Sequence, residues 1–232
     1  MFDYINLYSA LCTLFTSSLL KVFINPEKEE SPMDHPFVSL PAGTLLAPVP
    51  AVMVSCALPG QKPNIVTIAW AGTVNSDPPM CSVSVRKERF SHDIIRDSGE
   101  FIINLCGEDQ LKGLDFCGVK SGRDVDKFAA CGFTPVSVPG FTAPAVGECP
   151  LYLACRVTSV QELGSHDLFL GKVEQVGVRR SLMDEKGRID FNEAHLVAYN
   201  HGNYYALGEA LGFFGYSVAA PDVLERRMKQ LK

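Results

Sequence analysis

From Phe37 onward the chain is cut by glycine and proline into short β-like runs, and this rhythm restricts the fold more than any other feature. Ala51–Leu58 is rich in valine and stops at Pro59-Gly60, a turn pair because proline presets φ and glycine accepts positive φ. Asn64–Thr73 reads as a second strand, apolar and β-branched, ended by Asn75-Ser76-Asp77-Pro78-Pro79. Cys81–Arg86 alternates, with Val83 and Val85 facing one way and Ser82, Ser84 and Arg86 the other. Phe101–Leu105 is a further strand. Leu151–Glu162 and Asp167–Arg179 are two long runs, and Leu163-Gly164-Ser165-His166 joins them as a hairpin. Leu196–Asn200 and Tyr204–Leu207 are shorter candidates.

Helices are few. Ser91 reads as an N-cap for His92–Ser98, with Gly99 as its stop. Glu108–Phe116, Val125–Ala130 and a charged terminal stretch, Val223–Lys232, complete the set. Closely spaced strands with short helices between them predict a mainly β protein built as a closed or half-closed antiparallel barrel. The βαβ alternation of a doubly wound sheet is absent, as are GxGxxG after a strand and GxxxxGK[ST], so neither a Rossmann site nor a P-loop is expected.

Composition narrows the function. A net charge of -5 without long Lys/Arg runs suits a nucleic-acid binder poorly, because phosphate neutralisation needs clustered basic residues. No nucleic-acid partner is therefore expected, and basic groups that matter should be local, grouped for one small anion. The eight cysteines form no CxxC pair and no zinc-type Cys/His spacing. Several lie inside apolar runs, so buried reduced thiols in a reducing, cytoplasmic compartment are the better reading than disulfides. The five histidines form no ligand pattern, so no metal is expected.

Residues 1–32 stand apart as an extension and linker. Tyr4–Ile24 is apolar and Ser/Thr-rich but interrupted by Lys21, and Asn25–Ser31 is polar. A signal peptide would carry positive charge before the apolar run, where only Asp3 stands. A packed helix, a weak membrane anchor and a leader from an upstream start codon are all open; the first and third are favoured over the anchor, so a membrane partner is not expected. Met33 opens the domain expected over residues 33–219, with residues 220–232 as the charged helix.

One stretch concentrates the unusual residues: Thr67 to Pro79, then Ser82 to His92. Trp70, the only tryptophan, stands before Ala71-Gly72, and small residues there let backbone N–H groups approach a flat ligand. The next strand leads through Arg86, Lys87 and Arg89 into the helix expected after Ser91. A helix N-terminus and an arginine fork both suit a phosphate, so a flat slot beside an anion site is one reading. A solvated turn at Arg86–Arg89, a structural cap at Ser91 and a core Trp70 are the other.

The same residues carry a resemblance. Trp70-Ala-Gly-Thr73, Ser76-Asp77-Pro-Pro79, Ser82-Val-Ser84-Val-Arg86, Arg89-Phe90-Ser91-His92, Phe101-Ile-Ile-Asn104-Leu105, Cys117 to Phe128, Tyr204 to Gly208 and Leu211 to Ser217 resemble, in order, the flavin reductase-like FMN-binding split-barrel family, and within it the flavoredoxins. The similarity runs from about Met33 to about Ala219. It implies a six-stranded antiparallel Greek-key split barrel, non-covalent FMN and a homodimer with flavin sites at the subunit interface. It also implies that Trp70, Ala71, Gly72, Thr73, Val74, Asn75 and Ser76 line the ring, that Ser84, Arg86, Arg89, Phe90, Ser91 and His92 form the phosphate side, and that Asp124 and Lys127 close over the ring or come from the partner. Leu211, Phe213, Phe214, Tyr216 and Val218 suit a dimer contact independently, since such an apolar patch is a liability on a monomer.

With the cofactor carrying the electrons, no protein nucleophile or general acid is required. Two functions follow: an FMN-dependent oxidoreductase taking hydride from NAD(P)H and reducing flavin, iron or an organic acceptor, or an electron carrier docking redox proteins. A binding barrel that has lost its flavin is a third.

Overall fold

The computed structural model describes residues 36–231. The chain divides into two compact units, Met1–Thr44 and Leu45–Lys232. Of the first, the described residues 36–44 form neither helix nor strand; the expectations for residues 1–32 lie outside the described residues. No described helix is long and apolar enough to cross a membrane.

The second unit contains β1 (Val49–Pro50), β2 (Val52–Cys56), β3 (Asn64–Ile68), β4 (Ala71–Ser76), β5 (Pro79–Arg86), α1 (Phe90–Ser98), β6 (Glu100–Leu105), α2 (Leu111–Val119), α3 (Lys127–Cys131), β7 (Pro135–Val136), β8 (Ala145–Val146), β9 (Leu151–Glu162), β10 (His166–Val178), β11 (Val197–Asn200), β12 (Asn203–Ala206) and α4 (Pro221–Lys229). Its main sheet has seven strands in the order β3-β2-β6-β9-β10-β5-β4, every pair antiparallel. A smaller sheet runs β1-β11-β12.

The mainly β split barrel expected from sequence is what forms, with seven strands in its main sheet rather than six. The extra strand arises where Asn64–Thr73 reads as one run. The chain instead bends at Ala69-Trp70, so that β3 pairs with β2 on one edge and β4 pairs with β5 on the other. The Ser84 N–H donates to the Trp70 carbonyl at 2.9 Å. One apolar stretch thus spans the seam of the barrel, and the change of pairing partner, invisible in the residues themselves, forces the bend. Two helices also shift: Glu108–Gln110 is a 3₁₀ turn ahead of α2, and α3 starts after Asp126, whose carboxylate accepts the Ala129 N–H at 3.2 Å.

Alternation assigns the faces. Along β5, Cys81, Val83 and Val85 point into the barrel, where they meet Val52 and Val54 of β2, Phe101 of β6 and Phe169 of β10. The opposite face of β2 and β3 is covered by α2 and α3, with Met53 and Ile65 packed among Leu114, Cys117 and Phe128. Burial of each large side chain contributes about 1.5–3 kcal/mol, and covering both faces explains why every residue of β2 is buried. The β9–β10 hairpin is irregular at Leu170/Gly171. A Cβ on Gly171 would lie 2.6 Å from the Phe101 ring, so glycine there lets the two strands close over that ring.

Candidate cofactor site

Two cavities adjoin on one side of the barrel. The first, about 380 Å³, is floored by the end of β3 and by the Ala69-Trp70 bend. The alternation of β5 turns Ser84 and Arg86 away from the core and toward it. Trp70 is 44% exposed and tilts against the His166 ring, centroids 4.5 Å apart. Across the cavity stand Tyr199 and Tyr204, their rings 5.4 Å apart, and the Tyr204 hydroxyl donates to Asp115 Oδ1 of α2 at 3.1 Å. The result is a slot with aromatic walls, within the size range of small-molecule sites.

The second cavity, about 330 Å³, is polar. Arg89, Phe90 and Ser91 at the start of α1 face the loop Lys120–Arg123 and the buried Lys127. Arg89, Val66 and Val119 line both cavities, so Arg89 stands at the junction. Its Nη1 donates to the Gly118 carbonyl at 2.9 Å, which fixes the guanidinium between them. Lys127 is only 3% exposed, and its Nζ donates to the carbonyls of Ile65 and Cys117 at 2.7 and 2.8 Å. The loop presses close: a Cβ on Gly122 would fall 2.1 Å from Asn64 Oδ1 and 2.7 Å from the Phe90 ring. The Arg123 guanidinium lies over Phe90 at 5.3 Å.

Electrostatics differ between the two. Burial, reinforced by Arg86, holds His166 below the usual imidazole range, so its ring is neutral at neutral pH. Burial and then Asp115 push the Tyr204 phenol up to about 12. In the second cavity burial lowers Lys127, an effect that the nearby thiols Cys117 and Cys56 oppose. Arg89, Lys120, Arg123 and Lys127 make this end basic, and the helix start adds its own positive end.

Of the fifteen residues expected to hold a cofactor, the first cavity gathers Trp70, Ser84, Arg86 and Arg89, and the second gathers Arg89, Phe90, Ser91 and Lys127. Ala71 to Ser76 form the edge strand β4 and line neither; Ala71 packs on the core and the rest are exposed. Asp124 sits exposed in the turn before α3 and lines neither. His92 is buried between two carboxylates, Nε2 at 2.8 Å from Asp167 and Nδ1 at 3.0 Å from Asp93, away from both cavities. Lys87 is engaged by Glu162 and Asp167. Ser91 is not the helix cap: α1 begins two residues earlier than expected, at Phe90 with Arg89 in the cap position, and the Ser91 hydroxyl instead accepts from Asn64 Nδ2 at 2.7 Å inside the core. His166, Asp115, Tyr199 and Tyr204 were not expected at the site. His166 had a visible signal, since it follows the turn glycine of the long hairpin; the other three come together only by tertiary contact. Among the described residues no group of three or more His, Cys, Asp or Glu is arranged to hold a metal.

Residues 45–208 match the flavin reductase-like domain family, and every lining residue of both cavities lies within that range. The chain belongs to the flavin reductase-like family. The flavoredoxin of Desulfovibrio vulgaris (Miyazaki F) superposes with a TM-score of 0.72 at 34% identity, over 76% of this chain and 96% of that one. The flavoredoxin of Methanosarcina acetivorans does so at 0.73 and 25% identity, over 80% and 100%. The NADH:riboflavin 5'-phosphate oxidoreductase of Streptomyces pristinaespiralis is 30% identical over 127 residues, 55% of this chain and 68% of that protein.

Proposed function

We propose that this flavin reductase-like protein binds FMN across the two cavities and transfers electrons through it, with NAD(P)H as donor. The observation that carries the reading is the junction at Arg89, where an aromatic-walled slot opens into a small basic pocket. A flat ring ending in a single phosphate needs that pairing. In this reading Trp70 and His166 face Tyr199 and Tyr204 across the ring slot. Arg89, the first residues of α1 and the loop Lys120–Arg123 receive the phosphate. Lys127 holds the backbone of β3 and α2 in place behind it. FMN, when bound, supplies the redox chemistry, and the protein supplies orientation and electrostatics. With His166 neutral, Arg86 and Asp115 are the charged side chains beside the slot, and Arg89 stands at its junction with the basic pocket.

The names of the relatives support both a reductase and an electron carrier: one acts on riboflavin 5'-phosphate with NADH, and two are flavoredoxins. A second copy of the chain fits the exposed Leu211, Phe214 and Val218, which a monomer would leave in water. Mass spectrometry of the heat-released cofactor tests the ligand, with FMN expected; FAD, or no flavin after reconstitution, overturns the reading. Steady-state oxidation of NADH and NADPH by the FMN-loaded protein separates the roles. Turnover marks the reductase, and its absence with both donors leaves the carrier.

A further inference from the structure

Two helices that frame the basic pocket touch through a pair of thiols. Cys117 lies in the last turn of α2 and Cys131 is the final residue of α3, and their Sγ atoms are 3.9 Å apart. Cys117 is buried and Cys131 half-buried. The loop between them supplies Lys120–Arg123 to the pocket. The backbone beside Cys117 also holds two of its cations, since the Cys117 carbonyl accepts Lys127 Nζ and the Gly118 carbonyl accepts Arg89 Nη1.

We propose that Cys117 and Cys131 form a reversible disulfide with peroxide as oxidant, and that closing it loosens the anion pocket. A disulfide needs the sulfurs at about 2.05 Å, so they must approach by roughly 2 Å. Cys131 can supply much of that movement: it ends its helix, and the following Gly132 leaves in the left-handed conformation. The rest falls on the α2 backbone that carries the two cation contacts. The chemistry balances in two steps. The Cys131 sulfur attacks one peroxide oxygen, giving a sulfenic acid and water. The Cys117 sulfur then displaces the hydroxyl as a second water, so two thiols and one peroxide become one disulfide and two waters. Burial pushes the Cys117 thiol up to about 12 and raises that of Cys131, while Lys127 pulls both the other way. The thiolate fraction is therefore small at neutral pH, and the reaction should be slow and faster in mild alkali.

A second pair, Cys106 and Cys149, has the same 3.9 Å separation but both of its cysteines are buried, so it serves as an internal control. The test treats the protein as purified with hydrogen peroxide at neutral and mildly alkaline pH. Free thiols are alkylated and peptides are mapped without reductant. The proposal expects a Cys117–Cys131 cross-link that forms before any Cys106–Cys149 bond, forms faster in alkali and is reversed by dithiothreitol. In Cys117→Ser, Cys131 should stop at the sulfenic acid or oxidise further. Oxidation of Cys131 without a cross-link in the unaltered protein, no reaction at either pH, or prior closure of Cys106–Cys149 overturns it. The link to the pocket rests on the FMN reading: oxidised protein should bind FMN about tenfold more weakly, with riboflavin little changed. Equal FMN affinity in both redox states removes the coupling. Failure of the reduced protein to bind FMN at all counts against the cofactor reading and leaves the disulfide to be judged by the peptide map.

Discussion

At the scale of single residues, the site depends on side chains whose environments differ sharply. Trp70 is half in water and bounds the aromatic-walled slot. Trp70→Ala should therefore weaken FMN and riboflavin alike, as flavin fluorescence titration would show, without unfolding a barrel whose core it does not enter. Gly122 is the opposite case. Its missing Cβ is what admits Asn64 and Phe90, so Gly122→Ala forces the loop outward or displaces a buried amide that holds Ser91. The expected cost is about 1–3 kcal/mol in urea unfolding; an unchanged midpoint would show that the loop moves freely. The alternation of Cys81–Arg86 was legible in sequence because a half-buried strand must place Ser84 and Arg86 opposite Val83 and Val85. Ser91 was misread for an equally physical reason. A serine before a helical run has a local use as a cap and a tertiary use as a buried acceptor, and only the position of Asn64 decides between them.

At the scale of elements, two polar ties hold the frame around the site. Helix α1 is tied to β10 by His92 and Asp167. Burial disfavours the ionised Asp167, but hydrogen bonds from His92 and Lys87 outweigh it and hold its carboxyl below the usual range. A depressed carboxylate stabilises the fold above its unfolded pKa, about 3.9, and that contribution is lost as pH falls through the lower folded value. Urea midpoints should drop below about pH 4, and Asp167→Asn should flatten that drop; parallel pH curves for the two proteins would contradict this. The second tie is Glu100 of β6, buried, which accepts the Thr142 and Ala143 N–H groups at 2.6 and 2.8 Å and pairs with Arg156. Glu100→Ala leaves the buried Ala143 N–H without its acceptor and removes the partner of Arg156, and should cost roughly 1–3 kcal/mol. The strands carrying these ties were legible from β-branched runs and turn residues. The bend at Ala69-Trp70 was not, because nothing in Asn64–Thr73 distinguishes a strand that keeps its partner from one that changes it.

At the scale of the whole molecule, the barrel brings residue 70 against residue 166 and residue 115 against residue 204. Such pairings depend on the closure of the sheet, which is why Asp115, His166, Tyr199 and Tyr204 escaped the reading of sequence while Trp70, Ser84, Arg86 and Arg89 of the same slot did not. The exposed apolar residues after Gly208 argue for association through apolar burial, which salt does not screen. Sedimentation at low and high salt should give a dimer in both; a monomer at micromolar concentration would contradict it. In the proposed reading one ligand spans both cavities through the junction at Arg89, and the phosphate isolates that arrangement, since FMN and riboflavin differ in that group alone. The decisive measurement is the affinity of Arg89→Ala and of the unaltered protein for both flavins. The substitution should weaken FMN by roughly ten- to a hundredfold, the loss of one charge-assisted hydrogen bond, and leave riboflavin nearly unchanged. An equal effect on the two flavins, or none on either, would place the phosphate elsewhere and contradict it.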